Sequence, residues 1–223
     1  MKHTEKELLA LKEEVSQMWR LVLSQLEKSK TAFLTNDVSL AIEVASREKR
    51  VDLFELKIDS DCENFIALYN PVAIDLRLAL SLLKIGGTLE RIADFADGIA
   101  RQVIEESCKN FPLEMKQRLQ IETMFDTVIE MLAESYVALD SDNTRLSGKI
   151  LEKDETIDNI YRAATKILAE AIDKREIDAE CGLKTMVIVR KIERMGDHCS
   201  NIVEEIVFYM DAKVLKHSKI MEE

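Results

Sequence analysis

The apolar stripe Ile85, Leu89, Ile92, Ala96, Ile99 and Val103 returns 103 residues later as Ile188, Ile192, Met195, Cys199, Ile202 and Ile206. Steps of three and four residues put each set along one face of a helix. At the same shift Glu90 and Arg91 fall on Glu193 and Arg194, Asp94 on Asp197, and Asp75 on Asp178. Charged residues off the stripe have no packing reason to match, so the chain reads as a tandem duplication. Only two prolines and six glycines are available to interrupt helices, and interior Pro and Gly are the residues a helix tolerates least.

The spacing predicts an all-α fold of six long helices, arranged as two three-helix bundles related by a pseudo-twofold. The halves are taken as residues 1–111 and 112–223. The first helix covers about 4–34, with Leu8, Leu11, Val15, Met18, Val22 and Leu26 on one stripe. Asn36 and Asp37 cap a second, which stops before Asn70-Pro71; Pro71 opens a third, reaching about Cys108. After Pro112 a fourth covers about 113–139, a fifth about 144–174, and a sixth runs from the cap Asp178 to about Met210. The polar tail beyond it is expected to fray.

Glu90 with Asp94, and Glu193 with Asp197, are four residues apart and stand one above the other. Asp97 extends the first pair and Glu204 the second. These acids lie about 100° around the helix from the apolar stripe, on the bundle's shoulder. The companion helices carry Glu48 with Asp52 and Asp154 with Asp158, related by a shift of 106. If companion and central helices lie side by side, four carboxylates converge in each half. Hard oxygen donors suit magnesium, manganese, calcium or iron rather than zinc. A solvated acidic face is the competing reading, since 42 acidic residues produce such pairs freely. Glu55 with Asp59 and Glu122 with Asp126 are two further instances.

The net charge of −11 argues against a nucleic-acid partner and against adsorption to anionic lipid by charge alone. No apolar run approaches the ~20 residues that cross a bilayer, and the first residues lack a signal-peptide core. Cys62, Cys108, Cys181 and Cys199 have no metal-type spacing and are expected as reduced, partly buried thiols, which suits a cytoplasmic protein. Any membrane association would then run through a protein partner.

The stretches GGTLERIADFADGIA and VRKIERMGDHCSNIVEE, with NPVAIDLRLALSLLKIGGTLERIAD before the first, resemble the paired signature of the PhoU family. The resemblance covers nearly the whole chain and is weakest in the first and fourth helices. It implies a cytoplasmic, non-enzymatic negative regulator of the phosphate-starvation response. Such a protein links a phosphate ABC importer to a sensor histidine kinase, and is expected here as a homodimer. It also implies divalent or ferric ions, with iron, manganese or magnesium foremost, on Glu48, Asp52, Glu90, Asp94, Asp154, Asp158, Glu193 and Asp197. Asp97, Asn201 and Glu204 are candidate additional ligands. Asp75 and Arg77 match a family element and are read either as a partner contact or as a charge pair at a helix start.

The first half departs from the pattern. Ala93 stands where the second half has Gly196, and Asp97-Gly98 where it has Ser200-Asn201. His198 follows Asp197 and points about 100° away from it, which favours a structural or interface role. Two other functions compete. A carboxylate-bridged metal enzyme would use Glu-x-x-His pairs, and His3, His198 and His217 form none. A helical adaptor without metal needs only the apolar seams.

Overall fold

A computed structural model describes residues 3–105, 108 and 111–212. Its helices are α1 (His3–Thr35), α2 (Val38–Ser46), α3 (Glu48–Tyr69), α4 (Ala73–Ile104), α5 (Leu113–Arg118), α6 (Ile121–Asp140), α7 (Ser147–Asp173) and α8 (Ala179–Asp211). No strand occurs among the described residues, and none of their helices is long and apolar enough to cross a membrane. Two three-helix units form, one from α1, α3 and α4, the other from α6, α7 and α8. The tail expected to fray, from residue 213 on, and His217 lie outside the described residues.

Where the sequence predicts six helices there are eight among the described residues, because the second and fourth are each broken once. Arg47 ends α2 by returning its N–H to the Val44 carbonyl, a tightened turn that lets α3 leave in a new direction. Below that turn Ala41 and Val44 pack with Ala32 and Ala100 in a small satellite core. The second break falls at Leu119-Gln120, with Gln120 in the left-handed region at φ 51°. Here α5 is pinned separately: buried Lys116 donates to the Phe33 carbonyl at 2.7 Å, the Leu34 carbonyl at 3.1 Å and Asn36 Oδ1 at 3.3 Å. Those carbonyls belong to the last turn of α1, which has no partners of its own for them.

Other boundaries follow local chemistry. Asp37 accepts from the Leu40 N–H at 3.0 Å and Asp178 from the Cys181 N–H at 2.7 Å, so both act as the expected caps. Pro71 lies just outside α4 rather than inside it. Asn70 closes α3 in the left-handed region, and Val72 is extended before the helix begins.

The centre of the molecule is the pair α4 and α8. Arg77 Nε donates to the Tyr209 carbonyl at 3.1 Å, Ser81 Oγ to the Glu205 carbonyl at 3.2 Å, and Phe95 stacks on His198. Position numbers rise along one helix as they fall along the other, so the two are antiparallel. Phe95 and His198 are themselves related by the shift of 103, which puts the pseudo-twofold axis at their contact. The outer helices close over this pair, and one core runs through both halves. Fully buried Trp19 of α1 donates its indole N–H to the Leu132 carbonyl of α6 at 3.0 Å, joining the units a second time.

The cysteines correct one expectation. Cys62 and Cys199 are buried free thiols, with burial pushing the Cys62 thiol up to about 12. Cys108 and Cys181, however, form a disulfide with Cα atoms 5.5 Å apart. The antiparallel course of α4 and α8 brings the turn after α4 to the first turn of α8, a proximity hidden by 73 residues of chain.

After air oxidation, alkylation of unfolded, unreduced protein should therefore modify two thiols per chain, and four after reduction; four in both would refute the bridge. Trp19→Ala removes a filled core volume at the junction of the halves and should cost about 3–5 kcal/mol in chemical denaturation.

Candidate metal centre

Glu90 and Asp94 stand on the side of α4 that faces α3, hydrogen-bonded to each other and within electrostatic reach of Asp52. Burial is the first cause that pushes the Glu90 carboxyl up to about 7; the charges of Asp94 and Glu55 add to it. Asp94 is also raised, first by burial and then by Asp52 and Asp97, against the opposing hydrogen bond from Glu90. Glu55 and Asp59, a further pair with the same spacing, are raised by burial and by neighbouring carboxylates as well. They line an open cleft of about 480 Å³ with Glu90, Arg91, His198 and Asn201. Asn201 thus faces the acids of the first half.

The second half repeats this arrangement. Glu193 is raised by burial, then by Asp197 and Asp158. Asp197 is raised by burial, with Asp158 adding and Arg194 opposing. Glu204, half-buried on the same helix, continues the stripe.

Each half therefore gathers three of its four expected carboxylates: Asp52, Glu90 and Asp94, then Asp158, Glu193 and Asp197. The fourth is engaged elsewhere. Glu48 lies 3.4 Å from Arg101, whose Nε donates to Asp97 at 2.5 Å. Asp97 is buried, and its other oxygen has no hydrogen-bond partner. In the second half Asp154 accepts from the Ser200 hydroxyl at 2.9 Å. Ser200 occupies the repeat position of Asp97, so the same site on the central helix holds the first acid of the companion pair in both halves. Arg101 and Ser200 were missed from sequence; an arginine one turn after Asp97 was the available signal for one of them.

The Gly196/Ala93 difference also has a physical reading. A Cβ on Gly196 would lie 2.8 Å from Asp154 Oδ1 and from Ile157 Cδ1, so α7 and α8 approach too closely for a side chain unless those groups yield. The α3–α4 contact leaves room for Ala93.

His198 takes the interface role expected of it, with ring centroids 5.7 Å from Phe95 and planes at 27°. Burial, then Arg194 and Arg91, hold its pKa down to about 4, so the ring in this stack is neutral at physiological pH. Arg77 is committed inside the molecule to the last turn of α8, whereas Asp75 is half-buried in the first turn of α4.

Chemically, this is a set of hard oxygen donors in which the charged forms of Glu90, Asp94, Glu193 and Asp197 are disfavoured by burial and by neighbouring carboxylates. A hard cation would relieve both, and the donors fit one. Among the described residues, no three or more carboxylate, histidine or cysteine groups already stand close enough to hold an ion.

Residues 15–103 and 121–206 each match the model of the PhoU domain. A phosphate-specific transport system accessory protein PhoU homolog of Thermotoga maritima is 30% identical over 214 residues, covering 96% of this chain and 91% of that protein. The Escherichia coli accessory protein PhoU is 32% identical over 217 residues, covering 95% and 86%. The crystal structure of the phosphate transport system regulatory protein PhoU from Streptococcus pneumoniae superposes with a TM-score of 0.86 at 25% identity, covering 96% of this chain and all of that one. PhoU from Pseudomonas aeruginosa gives 0.86 at 26%, covering 94% and 99%.

In chelator-treated protein the folded state binds more protons than the unfolded chain between about pH 4.5 and 7, because the Glu90 pKa is raised. Its contribution to stability is therefore lost as pH rises through that window. Glu90→Gln should stabilise by about 1 kcal/mol near pH 7.5, after allowance for solvent screening. That is a melting-temperature gain of roughly 2–4 °C, and it should shrink below about pH 4.5. An equal gain at both pH values would contradict the electrostatic origin.

Proposed function

Because the chain belongs to the PhoU family, we propose that it is a non-enzymatic negative regulator of phosphate uptake and of the phosphate-starvation response. In this reading it works in the cytoplasm, between a phosphate ABC importer and a phosphate-sensing histidine kinase, as a homodimer that reaches the membrane through those partners. The two units are taken as residues 1–111 and 112–223. The family and the names of its relatives, which are phosphate-transport accessory proteins, support the pathway.

The observation that carries the metal part is the pair of repeat-equivalent carboxylate groups, in which Glu90 and Asp94 of α4 and Glu193 and Asp197 of α8 are all raised by burial, with neighbouring carboxylates adding to it. Asp52, Glu90 and Asp94, with Asp158, Glu193 and Asp197, are the principal ligands we assign. Glu48, Asp154 and Asp97 join only where their present partners release them, and Asn201 and Glu204 are additional candidates. A bound divalent or ferric ion would supply compensating charge and tie α3 to α4 and α7 to α8. Asp75 remains the candidate partner contact of the Asp75–Arg77 element. Exposed Leu53, Leu56 and Leu68 give α3 an apolar edge for docking. In a reducing cytoplasm the Cys108–Cys181 bridge would be open.

Deleting the gene should raise phosphate-uptake gene expression in phosphate-rich medium, and the wild-type gene should restore repression. Unchanged expression would sink the regulatory reading. Purified wild type should carry metal by elemental analysis, and Asp94→Ala with Asp197→Ala should carry less. Equal metal in both would remove the ligand assignment and leave the pathway standing.

A further inference from the structure

The two carboxylate groups are not equivalent, and the difference comes from across the α4–α8 seam. Lys191 of α8 reaches over to α4 at Gly98, where a Cβ would collide with its Nζ and lie 3.2 Å from its Cε. The missing side chain at position 98 is what admits the lysine. Half-buried there, its ammonium is disfavoured by burial, which lowers its pKa, and supported by the charges of Asp97 and Asp94. Asp97 is itself buried, with one oxygen on Arg101 and the other without a hydrogen-bond partner.

Neither element of this arrangement repeats. Asn201 stands at the repeat position of Gly98, and Thr88 at that of Lys191. The Thr88 hydroxyl turns back to the Lys84 carbonyl at 2.8 Å. The second group does have cations nearby, but they are solvated. Arg162 pairs with Asp158 along its own helix with its side chain 65% exposed, and Arg190 and Arg194 are exposed. Arg194 has an equally exposed counterpart in Arg91, so it does not distinguish the halves. Exposed arginines can move aside into water when another cation arrives. Lys191 is confined between two helices by the gap that admits it.

We infer that Lys191 is a built-in cation for the first-half carboxylate group, so that free metal fills the second-half group, Asp158, Glu193 and Asp197, first. Metal entering the first group meets a confined ammonium that already interacts with Asp94 and Asp97, which weakens binding by about tenfold or more. The duplicated motifs would then have divided their roles, one closed by the chain itself and one open to the metal supply. This rests on the reading that the repeated carboxylates bind metal.

The test is titration of chelator-treated, full-length protein with Mn²⁺, followed by calorimetry and by equilibrium dialysis. Asp197→Asn should weaken the tightest class of sites by more than about tenfold, and Asp94→Asn by less than about twofold. Lys191→Met should add a further class of bound Mn²⁺, which Asp94→Asn in the same chain removes. Lys191→Arg, keeping the charge, should add none. Circular dichroism checks each fold, and Lys191→Gln replaces the methionine variant if that one is unfolded. Equal weakening by Asp94→Asn and Asp197→Asn, or no added Mn²⁺ on loss of the lysine charge, would overturn the inference while leaving metal binding intact. No Mn²⁺ on any variant would remove the metal reading and this inference together.

Discussion

Everything else in this molecule leans on the antiparallel contact between α4 and α8. α4 buries an Ile- and Leu-rich stripe and α8 an Ile- and Val-rich one, and each such side chain removed from water contributes roughly 1.5–3 kcal/mol. The outer helices are then packed on whichever shoulders the pair leaves open. The same seam sets the electrostatics. Acids one step around from a dry stripe are close enough to apolar matter to lose solvation, yet open enough to meet solutes. Their raised pKa values are thus a consequence of where the core runs.

The repeat gives both halves the same scaffold but different occupants. Position 97 or 200 engages the leading acid of the companion pair in each half, through an arginine relay in one and a serine hydroxyl in the other. Position 93 or 196 sets how closely the companion helix approaches. Position 98 or 201 decides whether the opposite helix can send a side chain across. The departures that stand out in the sequence as irregularities are places where the halves meet their surroundings differently.

How much of this was legible beforehand follows from the range of each cause. The helices, their stripes and the caps Asp37 and Asp178 depend on residues within one turn and could be read directly. The duplication needed only comparison of the chain with itself. The breaks at Arg47 and Gln120 were not legible, because they arise where separate stretches are held by distant groups, as α5 is by the end of α1 through Lys116. The carboxylate groups were legible as pairs on single helices. That Glu48 and Asp154 turn elsewhere depends on Arg101 and Ser200 meeting them between helices. The Cys108–Cys181 link, and the reach of Lys191 to Gly98, depend on the antiparallel docking itself.

The stack at the pseudo-twofold axis has an evolutionary consequence. Where two identical units meet about a true twofold, the residue on the axis must face its own copy. An ancestor made of two separate repeats could have placed phenylalanine on phenylalanine there, or histidine on histidine, but never one on the other. The Phe95–His198 pair is open only to a chain that carries both versions at once. Fusion therefore released this position from self-complementarity, and from then on a single mutation could alter one side of the axis without altering the other.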